Sequence, residues 1–493
     1  MLALRAVEAQ CRGHHAAASE LAARAEPLID ALPEPRRSIA LVNIHVVRAM
    51  IARLQGDALQ VTRSGLLATH LLAGLEPDDA PGWCAYRGLP HTLVGIGHLW
   101  SGHPTAAVTS LQESRDIDPA SPFTDYAQLS HGSHTALALV IQGSQDEGLA
   151  LARRIVTVAQ EMGRPVTAHT AQAWIALAVV AQLRHTPDEL ESILPSAERA
   201  VAEATDPFTR VCLHLLRFVS ALFRGERPAA VRELARARAL LTEHPGLVYA
   251  SRLCTALEVR MAAEGGDPLD SAQRLLAEHD DREHAWRQAW AEAEASGDAR
   301  LPAATTEADA LTIMRGRLLL ASDPQQVRDV VAPASALPGM VGVLAWVAIA
   351  QAEDQMRHDS LALEAMGIAL ERAAPGRISA PFLVSRSGRV VEILRRHLEL
   401  VGTHAAFVEE VLSVVDRAPT ATREKPRAAE PLTDRERVVV GYLPTMRSNA
   451  EIAEALQISV NTVKQHLKSV HRKLGVSSRR EVVRVARDLD LLP

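Results

Sequence analysis

Up to about residue 416, alanine, leucine and valine recur at spacings of three and four, the period of an amphipathic α-helix. Each apolar run ends at a short polar turn that contains glycine, proline or histidine, and a second alanine-rich run follows. Glycine ends one helix, and proline starts the next where its missing N–H costs nothing. The pattern predicts a succession of helices joined by tight turns.

These turns recur at intervals of about 40 residues. They are Gly13-His14, Gly56-Asp57, Gly102-His103-Pro104, Gly143-Ser144, His185-Thr186-Pro187, Gly225-Glu226-Arg227-Pro228, Gly265-Gly266-Asp267-Pro268 and, more weakly, Ser322-Asp323-Pro324 and His358-Asp359. A helix pair repeated at this period predicts an all-α fold, an α-solenoid of TPR-like repeats over residues 1–416. The interval Glu264–Ala303 is longer and more charged, which predicts an insertion or a break in the stack.

The first predicted helix, Leu2–Cys11, would be a bare edge of the solenoid. The end of a solenoid normally needs a polar cap. Two explanations stay open: the chain dimerises through this edge, or its natural architecture has more sequence upstream.

After residue 416 the composition and the sequence motifs of the chain change. Residues 417–431 contain three prolines, mixed charge and no large apolar residue, so they are predicted to form a linker. Residues 432–493 contain three capping boxes, in which a Ser or Thr is followed three residues later by Glu: Thr433/Glu436, Ser448/Glu451 and Ser478/Glu481. The boxes begin predicted helices over Asp434–Leu443, Asn449–Leu456 and Arg479–Leu489.

The segment 460–474 has two distinct faces when it is read as a fourth helix. One face is an apolar stripe of Val460, Val463, Leu467, Val470 and Leu474. The other holds Asn461, Lys464, Gln465, Lys468 and Arg472, with no acidic residue in the run. Gln457-Ile458-Ser459 joins this helix to the preceding one at helix-turn-helix spacing. Amide and ammonium donors read base edges in the major groove, so 460–474 is predicted to be a DNA-recognition helix.

The last 62 residues resemble the LuxR/GerE-type helix-turn-helix domain. The resemblance rests on Leu432-Thr433, Arg435-Glu436-Arg437, Ser448-Asn449, Glu451-Ile452-Ala453, Ile458-Ser459, Thr462-Val463-Lys464, His466, Lys473-Leu474-Gly475-Val476 and Arg479. One departure is Leu443-Pro444-Thr445-Met446, where the family usually has glycine. The helical repeats resemble, by period and helix type alone, the effector-binding solenoid of large ATP-binding LuxR regulators.

The resemblance implies roles for individual residues. Base contacts are expected from four residues: Asn461, Lys464, Gln465 and Lys468. Phosphate contacts are expected from six: Asn449, Thr462, His471, Arg472, Lys473 and Arg479. His466, at the edge of the apolar stripe, has either a packing or a phosphate role. For an arbitrary helix, a solvated polar face would be the preferred interpretation; the capping boxes and the family pattern favour base contact.

The net charge of −6 conceals an asymmetry. Residues 421–493 carry 14 Lys and Arg against 9 Asp and Glu, a net +5, so the first 420 residues carry −11. All four lysines lie after residue 424: Lys425, Lys464, Lys468 and Lys473. A local basic segment on an acidic body is the expected distribution for a nucleic-acid-binding head on a non-binding carrier.

The sequence gives no support to an enzyme. A P-loop needs a lysine that reaches the nucleotide phosphates, and residues 1–424 contain none. No catalytic triad is recognisable, and the pairs His131/His134 and His279/His284 lack the spacing of a zinc hydrolase, so no cofactor and no metal are expected. Trp286 and Trp290 are predicted to pack in the core or between repeats rather than form a ligand cage. The four scattered cysteines fit a reducing cytoplasm, and no membrane segment is predicted.

The favoured interpretation is a cytoplasmic, DNA-binding transcriptional regulator. Its predicted partner is double-stranded DNA, bound by a homodimer, with a small-molecule or protein effector on the solenoid and RNA polymerase as further candidate partners. The alternative is an interaction scaffold, whose solenoid binds another regulator and whose helix-turn-helix only pairs with that regulator. The uninterrupted basic helix favours the first interpretation.

Overall fold

The computed structural model describes residues 1–76, 79, 83–113, 124–163, 166–204, 206–263, 268–295, 307, 309–384, 388–417, 432–443, 448–474, 482 and 486. It divides into two units, Met1–Val411 and Leu412–Pro493. No residue in these ranges belongs to a strand, and the all-α prediction is confirmed. The predicted linker, beyond Arg417, lies outside the described residues.

Helices α1 to α20 build the first unit, and α21 runs across its boundary. Their bounds are α1 (Leu2–Cys11), α2 (His15–Ile29), α3 (Arg36–Gln55), α4 (Ala58–Ala73), α5 (Trp83–Trp100), α6 (Pro104–Glu113), α7 (Thr124–Gln142), α8 (Gln145–Glu161), α9 (Ala171–Leu183), α10 (Pro187–Glu203), α11 (Pro207–Phe223), α12 (Arg227–Glu243), α13 (Val248–Ala263), α14 (Pro268–Ala295), α15 (Ala310–Leu319), α16 (Val327–Ser335), α17 (Gly339–Gln355), α18 (Asp359–Ala373), α19 (Ala380–Val384), α20 (Gly388–Leu400) and α21 (Ala405–Arg417). The predicted first helix has the observed bounds of α1.

The predicted turns separate successive helices into hairpin pairs, from α1/α2 to α17/α18. Each predicted turn within the described residues lies between two helices; Gly265–Asp267 lies outside them. His185 and Arg357 take up positive φ where the turn lacks glycine. The solenoid of helix pairs is therefore confirmed.

Alanine makes the close packing of these pairs possible. One apolar cluster extends from Val42 to Cys254. On the second helix of four consecutive pairs, a fully buried alanine recurs at nearly the repeat period: Ala107, Ala152, Ala197 and Ala237. A methyl side chain lets neighbouring helices approach without a cavity, because interiors are packed to crystal-like density.

The packing changes at α13 and α14; α14 lies within the interval Glu264–Ala303, where an insertion or a break in the stack was predicted. Helix α14 has 28 residues, and a separate apolar cluster begins with Ala256 and includes Leu311. The buried guanidinium of Arg252 donates to Asp309 at 2.6 Å and also pairs with Glu283. Because buried charges are stable only when paired, this network joins α13, α14 and the start of α15.

Within the first unit, the solenoid winds into a coil that meets itself after five helix pairs. His244 Nδ1 lies 2.7 Å from the carbonyl oxygen of Gln55. One pair further along, Glu307 donates its N–H to Gly102 O at 3.0 Å, and its carboxylate accepts from Thr105 N at 3.1 Å. Two more contacts between distant repeats follow, one between Gly143 and Gly339 and one between Arg184 and Gly376. The residues joined by these hydrogen bonds at the first two contacts are between 189 and 205 apart in sequence.

Histidines and tryptophans that could suggest a ligand site are held within the fold. His131 lies 3.2 Å from Thr92 Oγ1, and His279 lies 3.1 Å from Glu283. Trp290 is fully buried, with its ring 6.2 Å from that of His103 in another repeat. This agrees with the predicted packing role of Trp290.

Candidate nucleic-acid interface

Three short helices form the described scaffold of the second unit: α22 (Asp434–Tyr442), α23 (Asn449–Ala455) and α24 (Val460–Leu474). Each begins where the sequence predicted, and the predicted bounds of α24 are the observed ones. Their shared core consists of Leu432, Val439, Val440, Leu443, Ile452, Ala453, Val463, Val470, Val482 and Ala486. The predicted helix Arg479–Leu489 lies outside the described residues apart from Val482 and Ala486, both helical and buried.

The first two capping boxes are present in the structure. Glu436 N donates to Thr433 Oγ1 at 3.3 Å, and Thr433 N donates to Glu436 Oε2 at 2.7 Å. Ser448 and Glu451 make the same reciprocal pair, with distances of 3.4 and 2.6 Å. Each box satisfies backbone donors that a helix start leaves without a partner. The third box, at Ser478, lies outside the described residues.

The turn between α23 and α24 is closed by backbone hydrogen bonds. Gln457 has φ of 52°, Gln457 N donates to Glu454 O, and Ile458 N donates to Ala453 O. This is the Schellman pattern, here with glutamine in the left-handed position that glycine usually occupies. Ser459 Oγ then accepts from Thr462 N at 3.1 Å and starts α24. The orientation of α24 is thus fixed on both sides of the turn.

Helix α24 separates a buried face from a solvent face. Val463 and Val470 are fully buried and Leu467 packs beside them, whereas Val460 is 38% exposed. Val460 therefore belongs to the predicted apolar stripe in sequence, but it is not buried in the core. The side chain of Leu474 lies outside the described residues. Asn461, Lys464, Gln465 and Lys468 are exposed. None of these four side chains makes a hydrogen bond or ion pair with any residue that the structure describes.

Lys473 lies on the inner side of α24. Its Nζ donates to Glu436 Oε2 at 2.8 Å, and the two side chains are only 10% and 5% exposed. Burial by itself would raise the pKa of Glu436, but hydrogen bonds from Lys473, Thr433 and Ser469 outweigh it and lower the pKa to about 2. The carboxylate that caps α22 therefore also anchors the last turn of α24.

Residues 430–486 match the family described as bacterial regulatory proteins, luxR family (GerE). This segment contains the two capping boxes, the turn and the basic helix. The C-terminal segment is a LuxR-type helix-turn-helix domain.

A transcriptional regulatory protein, MctR of Rhizobium johnstonii (strain DSM 114642 / LMG 32736 / 3841), is 42% identical to this chain over 60 residues. The match covers 12% of this chain and 28% of MctR. The similarity is thus one of the LuxR-type domain, not of the whole protein.

Two solved structures resemble the chain at low identity. A Rap protein complexed with competence and sporulation factor gives a TM-score of 0.47 at 12% identity, over 76% of this chain and 98% of its own. The Cut9–Hcn1 hetero-tetramer of APC/C gives 0.24 at 12% identity, over 84% of this chain and 95% of its own. None of the helices that the structure describes is long and apolar enough to cross a membrane.

The residues predicted to contact phosphate are distributed unevenly over the LuxR-type domain. Asn449, Thr462 and His471 are half-buried, as is His466, and the Thr462 hydroxyl lies 2.8 Å from Ser459 Oγ. The side chains of Arg472 and Arg479 are outside the described residues. The ammonium of Lys473 is held by Glu436, which gives this residue a structural contact within the domain; its phosphate contact stays a prediction.

A signal for the inward position of Lys473 is present in the sequence. Lys473 lies three residues after Val470 and ten after Val463, which places it towards the buried side of the helix. The prediction overlooked this because it grouped Lys473 with the other basic residues by charge.

Proposed function

We propose that this chain is a DNA-binding transcriptional regulator whose LuxR-type domain places α24 in the major groove. The observation that carries the proposal is the face of Asn461, Lys464, Gln465 and Lys468, which is exposed and has no partner among the described residues. Polar side chains kept out of internal hydrogen bonds are available to base edges. Lys and Gln are suited to guanine and adenine edges, respectively.

The helix-turn-helix geometry supports the same proposal. Ser459 and the Schellman turn fix the start of α24, and the Glu436–Lys473 pair fixes its last turn. A recognition helix must be rigid, because a shift of about 1 Å spoils the placement of its side chains on base edges. The expected phosphate contacts would set the register of the domain on the duplex without specifying sequence.

We propose that the remainder of the chain controls DNA binding by the LuxR-type domain. The acidic solenoid binds an effector or a protein partner, the chain acts in the cytoplasm as a homodimer on its DNA site, and RNA polymerase is a candidate partner there. The supporting observations are the net charge of −11 over the first 420 residues and the helix-pair architecture, which presents extended surfaces.

Residues 417–493 alone are expected to fold and to bind DNA. The affinity should fall steeply with salt, because each neutralised phosphate contributes a slope of about −0.9 in log affinity against log salt. Fluorescence anisotropy with genomic duplexes between low and physiological salt measures this. Full-length chain and a covalently dimerised segment are run in parallel, since a monomeric head binds more weakly. Absence of DNA binding by all three would favour the scaffold interpretation, and an affinity independent of salt would contradict the electrostatic contacts.

Full-length chain is expected neither to bind nor to hydrolyse ATP through a P-loop. Residues 1–424 lack lysine, and arginine does not replace the compact ammonium that reaches the β- and γ-phosphates. Isothermal titration with ATP and magnesium should show no stoichiometric heat. Micromolar binding at one site per chain would contradict this prediction.

A further inference from the structure

In the first unit, the contacts at which the coil meets itself differ in chemistry from one end of the contact region to the other. Near the first contacts, Trp100 of α5 stacks on Phe208 of α11 with ring centroids 5.9 Å apart, and both are 1% exposed. Further along, where α17 to α19 meet α7 to α9, the contacts include hydrogen bonds and close approaches of glycine backbone. We call this second set, formed by Gly143, Asp146, Arg184, Gly339 and residues 376–379, the latch.

Arg184 is the centre of the latch. It follows the last residue of α9, and its Nε donates to Gly376 O at 3.0 Å while its Nη2 donates to Asp146 Oδ1 at 2.7 Å. Ser379, only 4% exposed, donates its hydroxyl to the Arg184 carbonyl at 2.7 Å. That carbonyl is one of the acceptors that a helix C-terminus leaves without an intrahelical partner. One side chain and its own carbonyl thus join three segments of the coil.

The glycines of the latch leave no room for side chains. Gly339 has φ of 66°, and a Cβ on it would lie 2.6 Å from Gly143 Cα. A Cβ on Gly143 would lie 2.8 Å from Pro338 C. The two backbones therefore touch directly, across a separation of 195 residues or more, at the start of α17. Such an approach is available only to glycine.

Several apolar side chains beside the latch pack against residues of the same part of the first unit. Phe382 of α19 is 1% exposed and lies with its ring 6.1 Å from that of Phe407 in α21. Val327 of α16 and Ala348 and Ala352 of α17 form an apolar cluster, separate from the one that extends from Val42 to Cys254. Parting the latch would therefore break hydrogen bonds and backbone contacts while leaving these clusters intact.

We propose that the latch is a switch: the first unit exchanges between the closed coil and a form in which α17 to α20 have left α7 to α9. Helices α17 to α21 are the last helices before the predicted linker, so opening changes the segment to which the LuxR-type domain is attached. An effector or partner that binds one form better shifts this equilibrium. This regulatory consequence rests on the proposed function; the existence of the latch does not.

Hydrogen exchange of full-length chain, followed by mass spectrometry, tests the latch with Arg184→Ala. Amides of residues 376–384 and 339–345 are expected to exchange at least tenfold faster, while those of α9 stay as in the parent. Arg184→Lys keeps a positive charge that can pair with Asp146, but it loses the planar guanidinium that also donates to Gly376 O. An intermediate effect is therefore expected. Arg153→Ala is the matched control, because Arg153 is 61% exposed and lies 3.7 Å from Glu189 in the same coil; it should change nothing.

Unchanged exchange at 376–384, or equal acceleration over the whole unit, would overturn the latch. DNA affinity of the same proteins then tests the regulatory consequence, with a duplex selected by the full-length parent chain. At least a threefold difference between Arg184→Ala and the parent is expected, and none for Arg153→Ala. Equal affinities with altered exchange would overturn the coupling. Failure of every protein to bind DNA would instead reject the proposed function and leave the exchange result to decide the latch.

Discussion

Replacing Lys464 and Lys468 together with alanine is expected to lower affinity for the selected DNA site by at least about 30-fold, because each good base contact contributes about 1–3 kcal/mol. Both side chains are exposed on α24 and make no hydrogen bond or ion pair with described residues, so their loss should leave the fold intact. Anisotropy titrations at fixed salt, with selected and scrambled duplexes, measure the affinity and the specificity ratio. Affinity for the scrambled duplex should fall much less.

The control for this experiment is Arg435→Ala, an exposed cation on α22 that carries the same charge outside the recognition face. It should change affinity by only a small factor and leave the preferred sequence as it was. Gln465→Ala extends the test, because losing an amide that reads adenine relaxes preference at one base pair. An unchanged consensus for both the double lysine variant and Gln465→Ala would show that the recognition face is assigned wrongly.

Lys473→Met is expected to destabilise the LuxR-type domain by about 3–5 kcal/mol, because it leaves the buried Glu436 carboxylate without its cationic partner. This is comparable to the whole stability of a domain of this size. Urea unfolding of residues 417–493, followed by circular dichroism, measures the change. Lys468→Met, on the exposed face of the same helix, should alter stability by less than about 0.5 kcal/mol.

The pair also predicts how stability depends on pH. The pKa of Glu436 is about 2 in the folded domain, below its ordinary value near 4.5, so its contribution is complete above about pH 4.5 and is lost as pH falls towards 2. The difference in unfolding free energy between the parent and Lys473→Met should therefore shrink over this range. The double variant Glu436→Gln/Lys473→Met should recover part of the stability at neutral pH, since no buried charge is left alone. A constant difference from pH 7 to pH 3 would contradict this assignment.

Much of the fold could be predicted because its signals are local. Gly56 and Pro187, for example, end or begin a helix through their own backbone chemistry, and the apolar period fixes which face of each helix is buried. The capping boxes at Thr433 and Ser448 act over three residues, so the sequence places α22 and α23 to within a residue or two. The polar face of α24 follows from spacing alone.

Helical spacing places Lys473 towards the buried side of α24, but it does not identify the partner of Lys473. Its charge resembles that of Lys464 and Lys468, and only the packing of α22 against α24 shows that Glu436 lies beside it. The exposure of Val460 has a similar origin, since the first turn of α24 projects beyond the core that buries Val463. In both cases the outcome depends on which neighbour lies opposite; helical spacing indicates the side of the helix but does not identify that neighbour.

The sequence by itself determined the helix pairs, the change of character after residue 416, the basic recognition helix and the absence of lysine from the solenoid. Only the tertiary structure decided where the coil meets itself, which acidic side chain holds Lys473, and that Arg184 joins segments from distant repeats. The physical reason is the range of the interactions. Periodicity and capping act within a few residues, whereas the contact between Arg184 and Gly376 depends on the accumulated rotation of five helix pairs, and small packing angles at each interface determine it.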